Sequence, residues 1–241
     1  NLLSIINTVA AFARIDGQPP LNLRFLFEGE EEIGSPNLAA LIDAHRDTLA
    51  ADVVLSVDGG MDGPNTPTLS VALKGLAACQ INLTTSTTDL HSGMYGASVP
   101  NAARAIAKLV ASFHDDAGRV AVAGFYDDVR DLTDEDRAEI AAPANDDAEI
   151  QAQAGVSELV GEEGYTPRER MWARPTLDIN GLWSGFQGEG TKTVTPARGH
   201  VKITCRLVPD QDPAKIIDLI EEHVANHLPA GASAEVVRFA G

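Results

Sequence analysis

The stretch GHVKITCRLVP (199–209) decides how most of this chain folds. Its apolar side chains, Val201, Ile203, Cys205 and Leu207, alternate with polar ones, which is the period of a β-strand that buries one face. Arg206 then points to the opposite face, away from the core. This strand therefore presents a cationic side chain on the open surface of a sheet.

The segments around this strand follow a familiar order. Strands are predicted at 76–86, 176–183 and 233–240, and helices at 101–114 and 212–228. With 115–175 set aside as an insert, the order is β-α-β-β-α-β, the split-βαβ or ferredoxin-like plan. The insert is acidic, and its run DDVRDLTDED lacks the glycine of an EF-hand loop, which predicts a solvated surface. We expect one domain over 72–241 that carries this insert.

The first 71 residues follow a different pattern. Apolar residues recur at helical spacing from Leu2 to Ala13, and the apolar run LNLRFLF (21–27) predicts a buried strand. A helix over 37–49 and a second strand, ADVVLSVD (51–58), follow. Alternating helices and strands predict an α/β domain with a parallel sheet, whose sites lie beyond the carboxyl ends of its strands.

Composition excludes several classes of partner. The 241 residues carry a formal net charge of −17, which argues against binding to nucleic acid or to an anionic membrane surface. No apolar run approaches the roughly 18 residues of a membrane span. Cys79 and Cys205 each lie in a strand-like apolar stretch and are interpreted as reduced core thiols. These features predict a cytoplasmic protein with a substantial hydrophobic core.

The acidic loop FLFEGEEEIGS (25–35) follows the first predicted strand directly. Its glutamates either form a solvated surface or are neutralised by a bound cation. The second interpretation gains support from Asp58, which ends the next predicted strand, because carboxylates at neighbouring strand ends suit divalent cations. Adjacent glutamates can also divide the roles of metal ligand and general base. The residues alone leave open which glutamate takes which role.

Three other features of the sequence have both a structural and a functional interpretation. His91, in the Gly-rich loop DLHSGMYG, is either an exposed structural residue or a hydrogen-bond donor to a developing oxyanion. Arg206 is either an ordinary solvent-facing side chain or a fork that binds a substrate carboxylate. His223 and His227 are spaced i, i+4 on a predicted helix, and we expect both on the surface.

Four motifs together resemble one known family. EGEEEIGS, VDGG, DLHSGMYGASVPNA and KTVTPARGHVKITCRLVP occur in the order found in the dinuclear-zinc metallopeptidases. This family includes carnosinase-type dipeptidases, aminoacylases and carboxypeptidases, and the cytosolic dipeptidase branch is the most similar. The resemblance covers nearly all of the chain. It implies a zinc-binding α/β domain with a parallel sheet, joined to a ferredoxin-like lid that forms homodimers.

The resemblance also implies residue roles. Glu31 is the implied general base, and Glu32 and Asp58 are the implied ligands of two divalent metal ions, zinc in the first place, with manganese or cobalt as alternatives. His91 is implied to reach the active site of the partner subunit and to stabilise the tetrahedral intermediate. Arg206 is implied to bind the substrate's terminal carboxylate, with Thr193 as a further substrate contact.

The implied function is hydrolysis of dipeptides or short peptides. Two alternatives stand beside it: a deacylase acting on N-acyl amino acids or succinyl-diaminopimelate, and a non-catalytic dimerisation module. The family's two metal-binding histidines and its bridging aspartate match no residue of this chain. We therefore expect the chain to be an internal part of the enzyme, with an incomplete metal site, and to be inactive by itself.

Overall fold

The structure, a computed structural model, describes residues 1–61, 65, 67–142 and 147–239. The chain divides into two compact units, residues 1–72 and residues 73–241, which are described separately below.

The first unit is helical in its described residues. It contains helix α1 (Leu2–Ile15), a 3₁₀ turn (Glu31–Ile33), α2 (Leu38–Ala44) and α3 (Arg46–Leu49). The predicted helix over 37–49 is thus interrupted at His45.

The parallel sheet predicted for the first unit is wrong for the described residues. Neither 21–27 nor 51–58 forms a strand there, and the sheets that are described are antiparallel. The side chains of Phe25 and Phe27 are about half exposed and stack on each other with ring centroids 6.1 Å apart. An apolar run becomes a strand only where a neighbouring strand accepts its hydrogen bonds, and no described segment does so here.

The second unit is built on a four-stranded antiparallel sheet. Its strands, with a short pair beside them, are β1 (Gly75–Thr84), β2 (Leu90–His91), β3 (Thr176–Ser184), β4 (Val194–Thr195), β5 (Arg198–Leu207) and β6 (Ser233–Phe239). The main sheet has the order β3-β5-β1-β6, and β2 pairs with β4. Counting only the four long strands, the order is 2-3-1-4, so the predicted ferredoxin-like plan is confirmed.

Two helices cover one face of this sheet. The helices of the unit are α4 (Ser92–Tyr95), α5 (Ala102–Ala111), α6 (Asp134–Ala141), α7 (Asp147–Ala154), α8 (Pro167–Ala173) and α9 (Pro213–His227). The side chains of Asn101 and Asp212 cap α5 and α9. A Cβ on Gly199 would lie 3.0 Å from Ile106 Cγ2, so glycine allows α5 to approach β5 closely.

The alternation predicted for β5 is confirmed. Val201, Ile203, Cys205 and Leu207 are buried in the core, and Arg206 is exposed on the other face. Cys79 and Cys205 are free thiols in this core, as predicted. Burial raises the pKa of the Cys79 thiol to about 11, and it raises that of Cys205 further.

The insert contains a buried ion pair that the sequence did not reveal and that joins two of its own segments. Glu162 and Arg174 are 6% and 4% exposed and form two hydrogen bonds of 2.8 Å. A second buried carboxylate, Glu169, accepts a hydrogen bond of 2.7 Å from Arg137. Most of the acidic run 127–136 is exposed, as predicted. Residues 143–146 of the insert lie outside the described residues.

His223 is buried, which contradicts the surface position predicted for it. Its side chain stacks on Phe113, and its Nε2 lies 2.9 Å from Ser112 Oγ. Burial, and then the neighbouring His227, lower the pKa of His223 to about 4. His227 is exposed, as predicted. No helix among the described residues combines the length and the apolar character that crossing a bilayer requires.

Candidate functional site

The His91 turn is held in one conformation by its own hydrogen bonds. His91 pairs with Val194 across the β2–β4 ladder, and α4 begins at the next residue. The backbone N–H of Gly93 donates to His91 Nδ1 at 3.1 Å. Because Nδ1 accepts this bond, the neutral ring carries its proton on Nε2.

Thr193 lies beside the protonated nitrogen. Its Oγ1 is 3.4 Å from His91 Nε2, and its carbonyl accepts the N–H of Ser92 at 3.2 Å. Both side chains are exposed. An imidazole N–H and a hydroxyl this close can together donate to one oxygen, which is the arrangement that stabilises an oxyanion. The structure thus brings together two of the predicted site residues, His91 and Thr193.

Two residues that the sequence analysis missed position this turn. Asp89 accepts the backbone N–H of Ala197 at 2.9 Å and so ties the loop to the start of β5. Gly93 is needed beside the imidazole, since a Cβ there would lie 3.0 Å from His91 Cε1. The signal was present in the motif DLHSG: a turn-forming Asp two residues before the histidine and a Gly two residues after it.

Arg206 lies on the open face of the sheet, between Leu76 on β1 and Thr176 on β3. Within the described residues its guanidinium makes no hydrogen bond or ion pair. Its charge is also felt by Lys74, whose pKa falls to about 8 mainly through burial, with Arg206 lowering it further and Asp178 opposing both. Arg206 therefore has one cationic and one anionic neighbour, and its own guanidinium, unpaired among the described residues, suits a carboxylate ligand.

His91 and Arg206 belong to opposite ends of the sheet. Arg206 pairs with Leu76 near the start of β1. His91 comes shortly after the end of β1, and its partner residue Val194 lies shortly before the start of β5. Arg198, at the start of β5, and Arg206 are about 26 Å apart at 3.3 Å per residue. A dipeptide spans only about 7 Å, so it does not bridge the two ends of this strand.

The acidic candidates lie in the first unit. Glu31 and Glu32 form the 3₁₀ turn, which ends at Gly34 with a φ of 84°. Glu30 accepts two hydrogen bonds from Asn37, at 2.9 and 3.0 Å, and so stabilises the turn. Glu31 and Glu32 are exposed and free to meet a cation or a substrate.

Asp58 is also exposed, and Asn1 Nδ2 donates to it at 3.4 Å. Carboxylate oxygens are suitable ligands for zinc and similar ions, but a protein site usually needs at least three. The described residues contain no group of three His, Cys, Asp or Glu side chains placed to hold a metal. Glu32 and Asp58 therefore do not complete a metal site by themselves.

The sequence pattern of the peptidase dimerisation domain matches residues 71–232. The chain belongs to the M20 peptidase dimerisation-domain family. The match covers strands β1 to β5, both helices that cover the sheet, the His91 turn and Arg206, and it ends just before β6.

Relatives of this M20 chain carry the names of peptidases. It is 28% identical over 229 residues to human Beta-Ala-His dipeptidase, covering 94% of this chain and 44% of the relative. A solved structure of the dipeptidase Dug1p from Saccharomyces cerevisiae is similar with a TM-score of 0.77 and 30% identity, covering 98% of this chain and 50% of that one.

A third similar structure is the metallo-carboxypeptidase Sso-CP2 from Sulfolobus solfataricus. It has a TM-score of 0.72 and 35% identity, covering 88% of this chain and 50% of that one. The M20 chain thus spans about half the length of the relatives it matches.

Proposed function

We propose that this chain is part of a metal-dependent dipeptidase that hydrolyses dipeptides or short peptides. The observation that carries the proposal is the His91 turn, which holds an exposed Nε2–H beside the hydroxyl of Thr193. Such a donor pair suits the oxyanion of an amide-bond hydrolysis. Relatives named as dipeptidases, one of them the Cys-Gly metallodipeptidase DUG1 of Saccharomyces cerevisiae, support this choice of substrate.

In this proposal the first unit supplies acid–base chemistry. Glu31 takes the proton of the attacking water and returns it to the leaving amine. Glu32 and Asp58 each provide one ligand to a pair of divalent metal ions, zinc in the first place, and further ligands are required beyond those that this chain brings together. When bound, the metal ions supply Lewis acidity to the scissile carbonyl.

The proposed enzyme is a homodimer. His91 and Thr193 lie at one end of the sheet and Arg206 at the other, so one chain offers two separate half-sites. Two copies related by a two-fold axis can place His91 of one subunit in the site that contains Arg206 of the other. Arg206 then binds the substrate's terminal carboxylate through a forked, charge-assisted contact.

Two further points belong to the proposal. We infer that the 241-residue chain is inactive alone, because its carboxylates supply only part of a metal-ligand set. We also assign the protein to the cytoplasm, since Cys79 and Cys205 are both free, as expected in a reducing compartment.

The test compares substrates on the intact gene product loaded with zinc. We expect Cys-Gly and β-Ala-His to be hydrolysed faster than N-acetyl amino acids or succinyl-diaminopimelate. Glu31→Gln lowers kcat by at least about 100-fold as a lost general base. Glu28→Gln, which removes the same charge from the same loop, leaves kcat unchanged.

Faster hydrolysis of the N-acyl substrates would replace the dipeptidase by the deacylase. A dimer that binds no metal and cleaves neither class would favour the non-catalytic dimerisation module. Hydrolysis by the isolated 241-residue chain would refute its proposed inactivity.

A further inference from the structure

A cavity of about 250 Å³ opens between the first turns of α5 and the end of α9. Its polar walls come from Asn101, Arg104, Lys108 and His227, and its remaining lining is Ala105 and two prolines. The proposed peptidase chemistry uses none of these residues. The volume suits a small ligand, since pockets for drug-sized molecules begin at about 300 Å³.

The charge of this cavity is opposite to that of the protein. Arg104 and Lys108 are one helical turn apart, and no carboxylate of the described residues lines the cavity. Some exposed cations of the described chain are paired with carboxylates: Lys215 with Asp128 at 2.6 Å, for example. The side chains of Arg104 and Lys108 have no such partner among the described residues. In a chain of net charge −17, two adjacent unpaired cations repel each other, and a bound anion relieves that repulsion.

His227 adds a third polar group to the same cavity. Its Nδ1 lies 2.7 Å from the carbonyl of His223, and because a carbonyl only accepts, Nδ1 carries a proton. The ring is further fixed by stacking on His223, with centroids 3.9 Å apart. The wall that faces the two cations is therefore a rigid imidazole.

We propose that Arg104 and Lys108 bind a small phosphate-bearing anion. Because Nδ1 of His227 carries the proton of the neutral ring, its Nε2 accepts a hydrogen bond from a hydroxyl of the ligand and does not donate one to the anion. A guanidinium and an ammonium on one face of a helix match the charge of a phosphate dianion, and the guanidinium offers it two parallel hydrogen bonds. The volume admits either inorganic phosphate or a small phosphate monoester. The site is separate from the proposed catalytic residues and does not depend on the proposed peptidase function.

Arg104 also connects this site to the His91 turn. Arg104 and Asn101 line a second cavity, of about 210 Å³, whose other walls include Ser92 and Val194. Ser92 follows His91 in sequence, and Val194 pairs with His91 across the β2–β4 ladder. An anion held by Arg104 therefore lies one side chain away from the turn that presents His91.

The test is a titration of the folded 241-residue chain at constant ionic strength, followed by calorimetry and by amide chemical shifts. Inorganic phosphate and glycerol 3-phosphate are titrated separately, with chloride as the blank. We expect saturable binding of at least one of them, with shifts concentrated in residues 100–108 and 227–229. The relative affinity of the two ligands shows whether the cavity prefers free phosphate or a phosphate monoester.

Matched variants decide whether the cavity is responsible. Arg104→Gln combined with Lys108→Gln weakens binding by at least about tenfold, because charge-assisted hydrogen bonds are lost. Lys202→Gln, which removes an exposed cation from the sheet face, leaves the affinity unchanged. Non-saturable binding of both ligands, or equal weakening by Lys202→Gln, overturns the proposal. Circular dichroism verifies that the variants remain folded.

Discussion

Lowering the pH should destabilise the second unit through His223. This imidazole is 7% exposed, between Phe113 and Ser112, and its pKa falls from 6.5 to about 4 on folding. The unfolded chain therefore binds a proton between pH 6.5 and 4 that the folded chain does not bind. The contribution of the neutral His223 imidazole to the free energy of unfolding is fully present above pH 6.5, and it is lost as the pH falls toward 4.

The size of the effect follows from the difference in pKa. At 1.36 kcal/mol for each unit, the loss at pH 5 is at most about 2 kcal/mol, and below pH 4 it approaches about 3 kcal/mol. Many carboxylates titrate over the same range, so the wild-type curve alone does not isolate His223. The variant His223→Gln does not titrate and can still bond to Ser112.

The assay is urea unfolding of both proteins at intervals from pH 7.5 to 4.5. At pH 7.5 we expect the wild type to be the more stable, because its imidazole packs on Phe113. This advantage should shrink by about 2 kcal/mol by pH 5, since only the wild type has to exclude a proton there. A difference in unfolding free energy that stays constant across the range would refute the reasoning.

Three further predictions concern the turn, the insert and the core. Gly93→Ala crowds the ring of His91 and should lower kcat of the intact enzyme about 10-fold or more, with KM little changed, in steady-state assays. Arg174→Met removes the hydrogen-bonded partner of the buried Glu162 carboxylate, leaving Arg119 at 3.8 Å as its only described ion-pair partner, and should cost about 3–5 kcal/mol in urea unfolding. Cys79, with its pKa raised to about 11, should react slowly with a thiol reagent at pH 8 until the protein unfolds.

Each of these predictions has its own control. Gly181→Ala adds a methyl group that meets only ordinary contacts, and it should leave kcat unchanged. Lys215→Met breaks an exposed ion pair and should destabilise the protein far less than Arg174→Met does. Equal effects of the test and control substitutions would argue against the assigned roles. Rapid reaction of Cys79 in the native protein would show that its thiol is accessible to the reagent and is not protected by burial in the core.

The second unit could be predicted because its strands encode their burial locally. The alternation in 199–209 identifies the buried face from neighbouring residues alone, and helices between the strands fix the ferredoxin-like order. His223 could also have been predicted as buried. It follows Ile216 by seven residues and Ile220 by three, which places it on the apolar stripe of α9.

The first unit and the details of the site could not be predicted in this way. Whether 21–27 and 51–58 become strands depends on partner strands that local sequence does not specify. The protonated nitrogen of His91 depends on a hydrogen bond from Gly93, which only the folded turn creates. The pairing of Glu162 with Arg174 joins an acid and a base that each resemble ordinary surface charges in sequence.

The central claim is that His91 acts in the active site of the partner subunit. It is tested by co-expressing two differently tagged forms of the intact protein, Glu31→Gln and His91→Ala, and purifying the heterodimer through both tags. Each variant alone should be nearly inactive. If His91 acts across the dimer, one of the two sites in the heterodimer is intact, and about half of wild-type activity returns. A heterodimer no more active than its parents would contradict the account.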